Sequence, residues 1–256
     1  IEGKKILIAA GSSSSKILNN SNVVPIFHGV GTAIEFYSKE LVGLIEKRTV
    51  YRTSNRGGSN CGVHLVPRGD IGHYYLGAGN YLDQGEESHS RMATVKYLIE
   101  ALTNEISNHS VVHKAKMELV TGNRPISFDG KPLLGSIKKN KDVFIASGFN
   151  RVGLTLSPVI VTEIINWVND KNLNSRFSEW QPDRDLISYG NIDFAIDQYC
   201  EYYIANLIEH KIIKNKEIKK YQLILSKEVI KKHKLLQKKF KLSKNFGFNP
   251  EILSLF

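Results

Sequence analysis

The segment Ala146–Pro158 constrains the fold of this chain more than any other stretch of its sequence. Its letters, ASGFNRVGLTLSP, continue an apolar run into a loop bracketed by Gly148 and Gly153, and a proline follows. Proline is well tolerated at the first position of a helix, where a missing N–H has no consequence. The segment therefore predicts a strand end, a glycine-bracketed loop and a helix beginning at Pro158, whose free N-terminal amides suit a carbonyl oxygen or an anion.

The first residues predict a second strand of the same kind. Residues Lys4–Leu18, KKILIAAGSSSSKIL, form a short apolar run that stops at Gly11 and a serine cluster. This pattern predicts a buried strand, a tight turn and a short helix, with serine side chains available to cap free amides. It suits a phosphate at a helix N-terminus, but this segment taken alone favours an ordinary capped turn.

A long sheet-forming stretch separates that strand from the one predicted at Val143–Ile145. Glycine-punctuated, β-rich runs predict an antiparallel sheet, and they cover Asn22–Gly31, Thr49–Gly58, Cys61–Arg68, His73–Gly79 and Val111–Val120. An apolar stripe from Met92 to Ile106 predicts a helix within Ser88–Ser107. The expected fold is therefore α/β and α+β, with one domain, 1–31 and 121–175, interrupted by an antiparallel-sheet domain at 32–120.

Charge distinguishes the last part of the chain from the rest. The net charge is +10, and the stretch from Lys211 to Lys244 holds 13 lysines against two glutamates, a surplus of 11 that leaves −1 for all other residues. Apolar residues recur from Ile218 to Phe240 between the lysines, which predicts a basic amphipathic helix. Residues 176–256 are therefore expected to form a helical, Lys-rich extension. Its lysines suit acidic lipid or an acidic partner, or they form a solvated face on a helix packed against the body; without arginines, nucleic acid is disfavoured.

Composition excludes several classes of protein. With 41% apolar and 23% charged residues among 256, the chain can bury a sizeable core, so global disorder is excluded. Two cysteines, Cys61 and Cys200, exclude a disulfide framework and a cysteine zinc site, and no His/Asp/Glu group has metal-binding spacing. No apolar run approaches the ~18–20 residues that a membrane span needs. We expect no metal, no membrane span and a cytoplasmic setting.

Three segments together carry a resemblance to a known family. They are AAGSSSS at Ala9–Ser15, GNRPISFDGKPLLG at Gly122–Gly135, and the segment Ala146–Pro158. In this order they resemble the flavoenzyme superfamily of D-amino-acid oxidase, glycine oxidase and sarcosine oxidase, and Val63–Gly79 is similar to a hairpin of that family. The resemblance covers about residues 4–181. It implies an FAD-binding domain interrupted by a substrate domain.

One motif of that family is missing. Members open with a strand, GxGxxG and a helix that hold the adenosine diphosphate of the flavin, and this sequence contains no GxGxxG. The resemblance therefore implies the C-terminal part of such an enzyme, with the N-terminal half supplied by a separate polypeptide or left outside a fragment. The alternative is a non-catalytic partner or remnant that cannot bind FAD alone.

The resemblance also assigns roles to individual residues. Those implied to hold FAD are Ala10, Gly11, Ser12, Gly148, Phe149, Asn150, Val152, Gly153 and Leu154. Binding is expected to be non-covalent, because Gly122–Gly135 contains no cysteine, the residue with which sarcosine-oxidase-like members tether the flavin there. Arg124 and Arg151 match positions that face a substrate carboxylate, a group that suits the guanidinium fork. Arg124 also precedes a proline, which favours an extended backbone.

His64 is the third catalytic candidate, because it alternates with Val63 and Leu65 and so points away from them. The expected reaction is oxidation of a small amine or amino acid by hydride transfer to flavin N5, with a 2-hydroxy acid as the alternative substrate. Plainer roles compete: Arg124 in a surface β-turn, Arg151 as a surface arginine, and His64 as a histidine hydrogen-bonded within a sheet.

Overall fold

The computed structural model describes residues 3–18, 22–42, 50–53, 62–106, 109–209 and 212–256. The strands in these ranges are β1 (Ile6–Ile8), β2 (Ile26–Tyr37), β3 (Tyr51–Arg52), β4 (His64–Pro67), β5 (His73–Asp83), β6 (Lys116–Ser127), β7 (Leu133–Ile137) and β8 (Asn140–Ser147). The α-helices are α1 (Ser14–Ile17), α2 (Met92–Ala101), α3 (His109–Lys114), α4 (Gly153–Val168), α5 (Ile192–Glu209), α6 (Ile218–Lys239) and α7 (Pro250–Leu253). The strands form two sheets, ordered β1-β8-β7 and β3-β4-β5-β2-β6.

The three-stranded sheet joins segments from distant parts of the sequence. β1 runs parallel to β8, with Ile8 opposite Ile145, and β7 pairs antiparallel on the other side of β8. On one face, buried Phe144 packs against Trp167 of α4, with ring centroids 5.0 Å apart. On the other face, Ile8 and Ile145 join the core formed with the C-terminal helices. The strand near the start of the sequence and the strand at Val143–Ile145 are therefore neighbours in one sheet.

The five-stranded sheet is antiparallel throughout, as predicted. Strands β2 and β6 pair along their whole length, from Ile26 opposite Ser127 to Tyr37 opposite Lys116. Helix α2 packs on one face, where its Leu98 lies in a buried cluster with side chains from three strands. Both long strands run without interruption through the expected domain limits at 31/32 and 120/121. The division into domains stays a prediction.

Two predicted elements differ from the structure. Helix α4 begins at Gly153 rather than at Pro158, which is its sixth residue. The proline cannot donate to the carbonyl of Leu154, and the Ser157 hydroxyl donates to that oxygen instead, at 2.8 Å, so the helix continues. The predicted β-rich run Val111–Val120 is helical in its first part, because packing of buried Val111 in the α2 core overrides its β-propensity. Part of another predicted run, 54–58, lies outside the described residues.

The C-terminal extension is helical and packs on the body. Leu225, Val229 and Leu236 of α6 are buried in the same core as Ile8 and Ile145. The apolar stripe predicted for this helix therefore covers the body and leaves its lysines outside. No helix in the described ranges is long and apolar enough to cross a bilayer.

Candidate active site

One face of the five-stranded sheet is built from residues with little or no side chain. On β2, Gly31 lies opposite Gly122 of β6, and Ala33 lies opposite Gly77 of β5. Residues in register share a face, so these positions form a continuous floor opposite the face that α2 covers. Along β2 the residues of this floor alternate with residues such as Ile34, whose side chains are buried on the opposite face, against α2. It leaves space above the sheet that larger side chains would fill.

Arg124 lies across this floor. It belongs to β6, opposite Gly29, so the alternative of a surface β-turn is wrong. Its guanidinium atoms lie 3.4–3.5 Å from the place of a Cβ at Gly31, which is ordinary contact distance, so only a side chain longer than that of alanine would compete with them for this space. The Nη2 group donates to the amide oxygen of Asn80 on β5. The bare floor therefore lets Arg124 reach over one strand to the next.

Tyr75 and His64 lie on the same face. The Tyr75 ring covers Gly77, with Cε1 2.8 Å from the place of a Cβ. Burial raises the pKa of Tyr75, and the charge of Glu35 adds to this, so its hydroxyl is a hydrogen-bond donor at neutral pH. His64 Nδ1 lies 3.3 Å from the carbonyl oxygen of Gly77. Three strand spacings, about 14 Å, separate the backbones of β4 and β6, and the Arg124 side chain spans part of this distance by reaching Asn80 on β5.

The loop before α4 adjoins the Arg124 end of the floor. The Asn150 N–H donates to the carbonyl of Pro125 at 2.8 Å, and Phe149 forms a β-bridge with Ile126. Gly148 has φ +72° and Asn150 has φ +47°. A Cβ at Gly148 would lie 3.3–3.4 Å from Leu133 and Ser127. A glycine therefore suits this position both because of its positive φ and because of the limited space.

The turn after β1 meets the same loop. The buried Ser147 hydroxyl donates to the carbonyl of Gly11 at 2.9 Å. Gly11 has φ +57°, and the place of its Cβ is open space. No serine side chain caps α1; the Ser15 hydroxyl donates to the carbonyl of Ser12. The predicted FAD residues from the two ends of the body are thus adjacent, with Ala10 exposed beside buried Ser12.

The far end of that loop points to the surface. Val152 is 46% exposed and Leu154 is 88% exposed. Gly153 begins α4, and the amides of its first turn have no acceptor within the helix. Arg151 lies beside a different side chain from the one that Arg124 contacts. Its Nη2 is 3.7 Å from Oε1 of Glu251 in α7.

The residues present fit the flavin end of FAD. The floor offers a flat surface, the α4 amides offer donors, and the buried Oδ1 of Asn150 accepts no hydrogen bond from the described residues. The GxGxxG motif, which holds the adenosine diphosphate end in that family, is absent from the given sequence. Sequence reasoning missed Asn80 and Tyr75; the signal for the floor was the alternation of Gly29 with Gly31.

Comparison with known proteins agrees with this architecture. A family model described as FAD dependent oxidoreductase matches residues 2–166. A glycine oxidase from Geobacillus kaustophilus is similar at 18% identity and a TM-score of 0.59, over 73% of this chain and 47% of that one. An iminodiacetate oxidase from Chelativorans sp. BNC1 is similar at 17% identity and a TM-score of 0.57, over 71% and 47%.

A modified fructosyl peptide oxidase from Aspergillus nidulans is similar at 12% identity and a TM-score of 0.57, over 73% of this chain and 47% of that one. No curated protein matches the sequence. At these identities the solved structures show the fold alone, and the chain spans about half their length.

Proposed function

Because this chain belongs to the FAD dependent oxidoreductase family, we propose that it forms the substrate-binding part, and one side of the flavin site, of an enzyme that oxidises a small amine or amino acid. FAD, the cofactor of that family, supplies a hydride acceptor when bound. The position of Arg124 is the observation that supports this proposal most strongly. Arg124 lies on the glycine-lined face of the sheet, and the carbonyl of the next residue, Pro125, accepts a hydrogen bond from the loop that leads to α4.

Each residue near Arg124 has a part in this proposal. The guanidinium binds the substrate carboxylate through two parallel N–H donors, and Asn80 holds it in place. Glycine and iminodiacetate, named for two of the similar structures, both carry such a group. Tyr75 supplies a further donor on the same face. The first amides of α4 stabilise negative charge on the flavin ring edge.

The β1 edge of the three-stranded sheet is the observation that favours a further strand, contributed by the other half of the FAD site. In the described chain β1 pairs with β8 alone, and its Ile6 and Leu7 are 55% and 42% exposed. Parallel strands are ordinarily covered on both faces and paired with neighbours. We infer that a GxGxxG-bearing strand, from a preceding segment or a separate polypeptide, adds to β1 and completes the FAD site. FAD binding, substrate and partner are all parts of this proposal.

Replacing Arg124 tests the substrate class in the complete protein, with any polypeptide that copurifies. The preparation should be yellow and should bleach with an amino-acid substrate. Arg124→Ala should raise KM for carboxylate substrates by about thirty-fold or more, the effect of losing a buried charge-assisted contact. Arg124→Lys keeps the charge without the fork and should recover part of the loss.

Two controls make this test specific. Bound FAD, measured by absorbance, should be unchanged in Arg124→Ala, and KM for an uncharged amine should change little. Arg151→Ala should leave KM for carboxylates nearly unchanged, because its guanidinium lies beside Glu251. Equal losses on charged and uncharged substrates would contradict the assignment of Arg124. A colourless preparation that ignores added FAD would favour the non-catalytic alternative.

A further inference from the structure

The outward side of α6 carries a row of lysines, independent of the proposed active site. The row consists of Lys220, Lys227, Lys231, Lys234 and Lys238, all exposed. Their separations of 7, 4, 3 and 4 residues keep them on one side of a helix, and they span about 27 Å along its axis. Leu225, Val229 and Leu236 on the opposite side are buried against the body. The lysine row is therefore held rigidly and faces outward.

No carboxylate in the described ranges lies within 4.0 Å of a lysine-row nitrogen. Other lysines of α6 are different: Lys232 lies over the Tyr199 ring, and Lys239 lies over the rings of Phe240 and Phe256. The row thus concentrates five positive charges that the described protein does not neutralise by ion pairs. Such a row attracts an extended anionic surface.

Apolar side chains flank the lysine row. Leu223, Ile224 and Leu235 are 61%, 44% and 70% exposed, so they extend into solvent beside the charges. A nucleic-acid groove favours arginines and stacked aromatics, which the row lacks. Lysines with adjacent leucines match the headgroup region of a bilayer, where charge and apolar contact are available together.

We propose that the lysine row, with these three apolar side chains, docks the protein onto the surface of a membrane that contains anionic lipid. The lysines bind the headgroups, and Leu223 and Leu235 enter the interfacial layer. The contact is peripheral, because the apolar stripe of α6 stays buried in the protein core.

Vesicle sedimentation of the full chain tests this proposal. The protein should bind phosphatidylcholine vesicles that contain phosphatidylserine in 0.1 M salt, and it should ignore vesicles of phosphatidylcholine alone. Binding should disappear in 1 M salt, where the screening length is about 3 Å. Each lysine near an anionic surface contributes about five-fold to partitioning, so Lys227→Gln, Lys231→Gln and Lys234→Gln together should weaken binding about 100-fold.

A matched triple variant separates position from net charge. Lys139→Gln, Lys141→Gln and Lys171→Gln remove three other exposed lysines and should leave vesicle binding within about two-fold. Leu223→Gln with Leu235→Gln should weaken binding while the row stays intact. Absence of binding to phosphatidylserine vesicles, or equal losses in both triple variants, would overturn the proposal. So would lysine-row binding to single-stranded DNA in place of vesicles.

Discussion

Arg184 gives the sharpest stability prediction, because each of its five guanidinium N–H groups has an acceptor. Nε and Nη2 donate to the two carboxylate oxygens of Asp129, at 3.1 and 2.7 Å. Nη2 also donates to the carbonyl of Lys131 at 3.0 Å, and Nη1 donates to those of Pro132 and Gln181, both at 3.1 Å. The two charged side chains are 7% and 0% exposed. The ion pair ties the start of the C-terminal extension to the body.

Replacing Arg184 by Met keeps much of the side-chain volume and removes the charge. Asp129 then remains as a buried carboxylate without its cation. Three backbone carbonyls each lose one donor, although that of Lys131 keeps the Ser127 hydroxyl and that of Gln181 keeps the Arg184 backbone N–H. Removing one partner of a buried ion pair costs about 3–5 kcal/mol, so we expect the free energy of unfolding to fall by that amount. Arg184→Lys should lose less, since it keeps the charge and loses the fork.

Urea unfolding followed by tryptophan fluorescence measures this loss. The two tryptophans, Trp167 and Trp180, lie in or against one apolar cluster of the body. Arg68→Met is the matched control, because Arg68 lies 3.6 Å from Glu35 with 53% of its side chain exposed, and such a pair contributes only about 0–1 kcal/mol. A loss below about 1 kcal/mol for Arg184→Met, or one no larger than the control, would refute the argument.

Two further predictions concern packing and pH. A Cβ at Gly79 would lie 1.8 Å from Cγ2 of Thr94, so Gly79→Ala should lower the free energy of unfolding by about 1–3 kcal/mol. Adding Thr94→Ser removes that methyl group and should restore part of the stability. If urea titrations show that the losses of the two substitutions simply add, the predicted contact is contradicted. Burial lowers the pKa values of His28 and His233 below 6.5, so their neutral forms stabilise the fold fully above pH 6.5, and this contribution is lost as pH falls toward the folded-state values. Replacing both by Gln should flatten the decline in thermal stability between pH 7 and 5, and an unchanged decline would contradict this origin.

The parts of the fold that follow from local pattern were predictable. The apolar run ending at Gly11 and the one ending at Gly148 gave two strands, and the structure pairs them. Alternation placed His64 on the face opposite Leu65. These features depend on neighbours in the sequence, so the sequence alone is enough to recognise them.

The partners of the arginines were not predictable. Asn80 meets Arg124 only because of the register of three strands, which includes an irregularity between Thr32 and Ala33 of β2. Arg151 meets Glu251 through packing of the C-terminal helix, a hundred residues away. Helix α4 continues through Pro158, where the Ser157 hydroxyl bonds the Leu154 carbonyl that the proline leaves without an N–H donor. No periodicity encodes such long-range or compensating contacts.

The parallel pairing of β1 with β8 has a consequence for synthesis of the chain. Ile6 can pair with Val143 only after Val143, 137 positions later in the sequence, has been synthesised. At a ribosomal rate of about 5–20 residues per second, that delay is about 7 to 27 s. Contacts so distant in sequence also close slowly, because the loop entropy must be overcome before they form. The apolar run of β1 therefore remains without its β8 partner for many seconds after it has been synthesised.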